Sequence, residues 1–430
     1  VGATLLQALA FAAPAVLAGA LWAARRPDAR RRAGMLLACA WVLAALPPVN
    51  ALAVHLGWWR FAGAEGAFFG IPAGFLAGWV ALWGLLPALA APRLAAWLDV
   101  LLMPRLAPAL ELGPGWLAGE AVALTLVFLP ARLLAEWTAD DRRLGARAAL
   151  QVAAAGVLAL VILPEAVGAA VAAAPGVPAL RTAPPVSLAV ALQLVAVPAL
   201  LGVAAVHEFA RRGGGTPIPF DAPRRLVRSG PYAYVANPMQ LSMAATLAAW
   251  AVLTGAGWLL AAAAMSVVYA AGLAAWDEGE DLRARFGGRW DAYRAAVRAW
   301  LPRWRPWHPS LDGGEEPARL YVSAGCGTCS EMGLAVMALQ PVGLVVVPAE
   351  EHPERDLSRI TYDPRDGGPE DEGVAALARA LEHVNLACAV LGMAMRLPVI
   401  RPLLQVVVDA SGGGPMLVRR GAPAPCEVRT

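Results

Sequence analysis

Residues 186–210 read VSLAVALQLVAVPALLGVAAVHEFA, and Arg211 and Arg212 follow at once. Ionisable groups appear only near the far end of the stretch, at His207 and Glu208. A helix of this length crosses the hydrocarbon core of a bilayer, which takes roughly 20 apolar residues. Runs of the same kind occupy about 2–24, 34–56, 67–91, 94–112, 115–136, 148–173, 238–255 and 257–276. The run 94–112 carries Asp99, Pro104, Arg105 and Pro108, so a re-entrant or surface helix is the alternative there. The first run is long and lacks a basic start, which argues against a cleaved signal peptide.

Arginine placement orders these runs. With the N-terminus outside, the inner loops hold Arg25, Arg26, Arg30, Arg31 and Arg32, then Arg93, then Arg142, Arg143 and Arg147. Arg211, Arg212, Arg224, Arg225 and Arg228 form the last inner group, while the outer loops hold Arg60 and Arg181. The expectation is a polytopic α-helical protein of the cytoplasmic (inner) membrane with nine spans, N-out and C-in.

Composition agrees. The chain of 430 residues is 59% hydrophobic and 16% charged, with a mean hydropathy of +0.56, far from the balance of a soluble enzyme. Disorder, collagen and a disulfide scaffold are excluded by the apolar content, the aperiodic glycines and the five cysteines. Every basic residue is Arg, which removes lysine Schiff-base and P-loop chemistry. The net charge of +3 is small and the arginines sit between apolar runs, so no nucleic-acid partner is expected.

The expected organisation is 1–185, transmembrane helices; 186–309, a transmembrane core with a cytosolic amphipathic segment; 310–317, a linker; and 318–430, a small cytosolic α/β domain. Leu320–Ser323, Leu344–Val347 and Gln405–Asp409 read as its strands. In the first part, Asn50, His55, Asp99, Arg105, Glu120, Arg132 and Glu165 read as inter-span pairing or the polar lining of a lipid route.

The chemistry concentrates between Gly213 and Trp307. A Gly/Pro-rich loop contains Gly230-Pro231-Tyr232-Ala233-Tyr234-Val235-Ala236-Asn237-Pro238, and two apolar runs lead to Glu278. Such a loop has little helix-forming freedom, and its backbone groups need partners. Tyr232, Tyr234, Trp290 and Tyr293 offer ring faces to a ligand cation such as a sulfonium, and Glu278 offers an acceptor for an ammonium or ribose hydroxyls. Leu282, Phe286, Trp290, Tyr293, Val297 and Trp300 fall on one face of a surface helix bent at Gly287–Gly288.

In this order the blocks over about 190–307 resemble the isoprenylcysteine carboxyl methyltransferase family and its phospholipid methyltransferase-like relatives. Gly230, Pro231, Tyr232, Asn237, Pro238, Glu278, Phe286, Gly287 and Tyr293 match; Ala236, Gln240 and Gly279 depart. The resemblance implies S-adenosylmethionine bound at the cytosolic face by Gly230, Pro231, Tyr232, Tyr234, Asn237, Pro238, Glu278 and Tyr293. It further implies methyl transfer to a lipid-like acceptor drawn from the membrane. Methyl transfer from a sulfonium is an in-line displacement, so a carboxylate acceptor needs alignment rather than a base. Arg225, Arg228 and Arg303 are the candidates for orienting it; an amine or phenol would need a base, for which His207 or Glu208 is placed.

Cys326-Gly327-Thr328-Cys329 follows strand-like Leu320-Tyr321-Val322 and precedes a helix-like stretch. A helix N-terminus lowers the pKa of the first thiol in such a pair. With Gly373 and Leu397-Pro398, the tail resembles the DCC family of thioredoxin-like proteins, which implies redox activity and a thiol partner. Cys388 and Cys426 are too far apart for a zinc pair, and no metal is expected. Two alternatives remain beside the methyltransferase reading: a membrane thiol–disulfide oxidoreductase using Cys326 and Cys329, and a non-catalytic lipid-binding or assembly protein.

Overall fold

A computed structural model of the chain describes residues 3–62, 67–89, 100–101, 103–106, 109–171, 185–217, 221–312, 315–325 and 327–421. Cys326 and the side chains of Glu278 and Cys329 lie outside the described residues. The chain divides into two compact units, the first holding residues 1–183, 216–222 and 254–256, the second the remainder.

In the first unit, α1 (Ala3–Arg25) and α2 (Ala29–His55) are separated by a short turn, where the Asp28 carboxylate caps α2 by accepting from Arg31 N–H at 2.8 Å. β1 (Trp59–Phe61), α3 (Ala73–Leu89), β2 (Leu110–Leu112), α4 (Trp116–Ala139) and α5 (residues 144–171) follow. The aromatic core is Trp59, Phe61, Phe75, Trp79, Trp83 and Phe128. Gly74 and Gly78 lie one turn apart on α3 and meet the α1 backbone: a Cβ at Gly74 would stand 2.8 Å from the Gln7 carbonyl, and one at Gly78 would strike that of Ala10. Small residues so spaced let apolar helices close where hydrophobicity alone gives no preference.

Several polar groups in this unit are paired internally. Asn50 donates to the Phe69 carbonyl and accepts from the Trp59 indole, both at 2.9 Å. Arg132 pairs with Glu136. Arg147, expected as a loop arginine, is fully buried between Asp141 and Asp221. Asp99 lies outside the described residues.

The span expected at 94–112 needs correction. Met103–Leu106 is a single 3-10 turn, and β2 pairs antiparallel with β1 in the register Trp59↔Leu112 and Phe61↔Leu110. Pro104 limits helix formation within that turn, and the alternation Leu110-Glu111-Leu112 puts Leu110 into the core and Glu111 outward.

The second unit begins with α6 (Pro185–Glu208), which runs on through a π turn to Gly213. α7 (Pro238–Thr254) and α8 (Trp258–Tyr269) form a hairpin, and α9 (Ala275–Phe286) and α10 (Gly288–Ala296) are parted at Gly287, whose φ is +53°. β3 (Ala318–Val322), α11 (Gly327–Ala338), β4 (Leu344–Pro348), β5 (Thr361–Asp363), β6 (Asp371–Glu372), α12 (Val374–Leu381), α13 (Leu386–Met395) and α14 (Ile400–Val408) complete it. The sheet order is β4-β3-β5-β6, with β3–β4 parallel and the other pairs antiparallel. Gln405–Asp409, expected as a strand, belongs instead to α14 and its extension, because Ile400, Leu403 and Val407 recur at helical spacing.

Among the described residues, five helices are long and apolar enough to cross a membrane: Leu5–Arg25, Ala29–His55, Trp116–Ala139, Leu144–Val167 and Leu192–Gly213. A sixth is present if the bent pair Leu386–Met395 and Ile400–Gly413 counts as one. This is a polytopic helical membrane protein; among the described residues five or six helices reach the length of a span, where nine were expected. Ala73–Leu89 and Trp258–Gly272 are shorter apolar helices, and α7 has 17 residues.

Candidate functional site

The Gly230 loop is a 3-10 turn, Gly230–Ala233, with Pro231 near its start, where a missing N–H costs nothing. Gly230 has φ +59°, and a Cβ there would stand 3.2 Å from the Glu208 carboxyl carbon. Both facts call for glycine. Asn237 precedes Pro238, the first residue of α7, and its carbonyl accepts from Leu241 N–H at 3.0 Å. The segment after α10 returns to the loop, with Ala236 N–H bonded to the Arg298 carbonyl at 2.9 Å and Trp307 N–H to that of Ala233 at 2.9 Å.

The expected aromatic faces are spent on packing. Tyr232 is buried with Ala205, Val227 and Phe209. Tyr293 sits between Trp290 and Trp307, at ring separations of 5.9 and 5.7 Å, and donates to the Tyr232 carbonyl at 2.9 Å. Tyr234 donates to the Glu382 carbonyl at 2.8 Å, beside Ala389 and Met393. Burial pushes both the Tyr234 and Tyr293 hydroxyl pKa values up, so each stays a neutral donor.

The expected orienting arginines have protein partners. One Arg228 nitrogen donates to both Glu315 oxygens, at 2.7 and 2.8 Å. Arg225 donates to the Gly367 carbonyl at 3.0 Å, and Arg303 to that of Ala296 at 3.0 Å.

A cluster of ion pairs that the loop's own sequence does not announce lies behind it. Glu208, at the end of α6, accepts from Arg379 of α12 at 2.8 Å and from Arg396 after α13 at 2.8 Å. Ser229 of the loop also donates to it. The same two arginines reach Glu382, at 3.1 and 2.6 Å, and Arg379 reaches Asp371 at 3.1 Å. Asp371 is met from α6 by Arg211 and Arg212. Burial works against the Asp371 carboxylate, but the guanidiniums of Arg379 and Arg211 overcome it and hold its pKa below the usual range. Glu208 thus serves as an ion-pairing hub, with both oxygens occupied by charged donors. A lone Arg in the Ala/Leu helix VAALARAL was the signal available for Arg379.

Between the loop and the sheet is a cleft of about 50 Å³, lined in part by Arg228, Gly230, His308, Tyr362, Arg379 and His383. A space of that size could take a few water molecules and does not enclose a nucleoside. His383 closes one side: its Nδ1 lies 2.7 Å from the Val342 carbonyl, which makes Nδ1 the protonated nitrogen, and its Nε2 accepts from the Tyr362 hydroxyl at 2.8 Å. Burial lowers its pKa to about 3, with His308 and Arg379 adding to the effect. The unfolded chain binds this proton below about pH 6.5 and the folded chain does not. Stability from His383 is therefore present above that pH and lost as pH falls toward about 3, at up to about 1.4 kcal/mol per pH unit. A His383→Gln variant is expected to show a shallower acid slope in detergent unfolding midpoints measured between pH 7 and 4.5; equal slopes would exclude this role.

No curated protein and no solved structure matches the chain. Residues 186–287, which carry α6, the Gly230 loop and the helical hairpin, match the family model of phospholipid methyltransferases.

Proposed function

We propose that the chain is a membrane-embedded methyltransferase that transfers a methyl group from S-adenosylmethionine to a lipid-like acceptor at the cytosolic face. The observation that carries this reading is the family match over 186–287, set in a polytopic helical protein. In this reading the Gly230 loop, Asn237 and Glu278 neighbour the donor, while Tyr232, Tyr234 and Tyr293 hold the loop in place. The cleft beside Gly230 is too small to enclose S-adenosylmethionine and is not lined by Asn237, and the rings of Tyr232 and Tyr293 are turned into packing. Arg225 and Arg303 each spend one N–H on a carbonyl and retain others for an acceptor carboxylate or phosphate.

Titration calorimetry with S-adenosylhomocysteine on the detergent-purified chain tests it. Binding is expected, and is expected to fall at least tenfold in Asn237→Ala and in Glu278→Ala, a loss of about 1.4 kcal/mol. No binding to the parent chain overturns the reading.

A second reading concerns the tail. A parallel β3–α11–β4 unit, followed by antiparallel β5 and β6 and then α12, with Cys329 in the first turn of α11, supports a thioredoxin-like domain. A thiol-redox role for the pair Cys326 and Cys329, with a thiol partner, belongs to this proposal.

A further inference from the structure

The last helices of the tail are inside out for a water-exposed module. On α14, Leu403, Val406 and Val407 are 63%, 67% and 60% exposed. Its Gln405 side chain is used on the protein side. Gln405 accepts from Val374 N–H at the start of α12, at 2.9 Å, and donates to Asp409 at 2.8 Å; Asp409 in turn pairs with Arg359. Leu391, Val399, Met416 and Leu417 extend the exposed apolar surface, well beyond isolated surface leucines. Water disfavours this arrangement, whereas acyl chains favour it.

The neighbouring helix fixes the occupant. α13 packs Ala389 and Met393 against Leu200 and Ala204, which lie inside the span Leu192–Gly213. α13 therefore runs beside a membrane-crossing helix, whose Leu192, Leu194 and Val197 are themselves exposed. The α13–α14 pair meets the hydropathy standard of a span but bends by 90°. Arg401, at the start of α14, and Arg419, after it, are exposed, and guanidiniums suit anionic headgroups.

We propose that α13 and α14 form a re-entrant element seated in one leaflet, with acyl chains against Leu403, Val406 and Val407 and anionic headgroups at Arg401 and Arg419. The tail is then anchored in the bilayer. This is independent of the methyl-transfer reading.

The test uses the full-length chain in nanodiscs of phosphatidylcholine and phosphatidylglycerol, with all five cysteines replaced, Cys39 and Cys388 by Ala and Cys326, Cys329 and Cys426 by Ser. Spin labels are placed by Leu403→Cys, by Val407→Cys and, as an aqueous reference, by Glu354→Cys, and collision with oxygen is compared with collision with a water-soluble nickel chelate. The oxygen-to-nickel ratio is expected to be several-fold higher at 403 and 407 than at 354. Nickel access at 403 and 407 equal to that at 354 would place the face in water and overturn the proposal. Exclusion of both reagents there would mean that protein, such as a second copy of this chain, covers the face, and would overturn it equally.

Discussion

Arg379→Met is expected to lower the stability of the detergent-purified chain by about 3–5 kcal/mol, because breaking a buried ion pair leaves its partners uncompensated. Arg379 is bonded to Glu208, Glu382 and Asp371 at once, so three carboxylates lose a donor while all stay buried. Arg396 still bridges Glu208 and Glu382, and its presence keeps the loss from being larger. Denaturant midpoints read the effect. A double variant, Glu208→Gln with Arg379→Met, is expected to lose less than the sum of the single changes, since the pair is coupled. A loss under about 1 kcal/mol in Arg379→Met, the range of exposed pairs, would mean that the cluster is solvated.

Tyr293 separates packing from ligand contact. Tyr293→Ala removes a ring buried among Trp290, Trp307 and Val297, and is expected to cost about 3–5 kcal/mol, as truncation of large aromatic residues does. Tyr293→Phe keeps the ring and deletes the bond to the Tyr232 carbonyl, at about 1–2 kcal/mol for the orphaned acceptor. With a packing role, the Phe variant retains its affinity for S-adenosylhomocysteine while the unfolding midpoint falls. A loss of affinity with an unchanged midpoint would instead put the hydroxyl in contact with the donor.

Local pattern made the membrane class readable. The runs 2–24, 34–56, 115–136, 148–173 and 186–210 each fall on a helix able to cross a bilayer, since twenty apolar residues leave few other solutions. Gly287 was legible as a break because a positive φ favours glycine. The strands at 318–322 and 344–348 were legible from short apolar stretches between turns. β2 was not, because three residues paired with a strand far away in sequence leave no periodicity. α14 was misread, as an apolar run of five does not distinguish helix from strand. At the site, glycines and prolines announced the turn, but ring orientation is a tertiary outcome: Tyr232, Tyr234 and Tyr293 look alike in sequence whether they face a ligand or a neighbour. The Glu208 cluster joins residues about 170 positions apart, beyond the reach of any local window.

That cluster also bears on any attempt to shorten the chain. Ending it before β3 would remove Arg379 and Arg396 together, stranding Glu208 at the foot of its helix with its nearest arginine, Arg212, 4.0 Å away. A trimmed version would therefore need Glu208 neutralised, by Gln or Leu, before its membrane part is asked to stand alone, and the tail is better regarded as a keystone than as cargo.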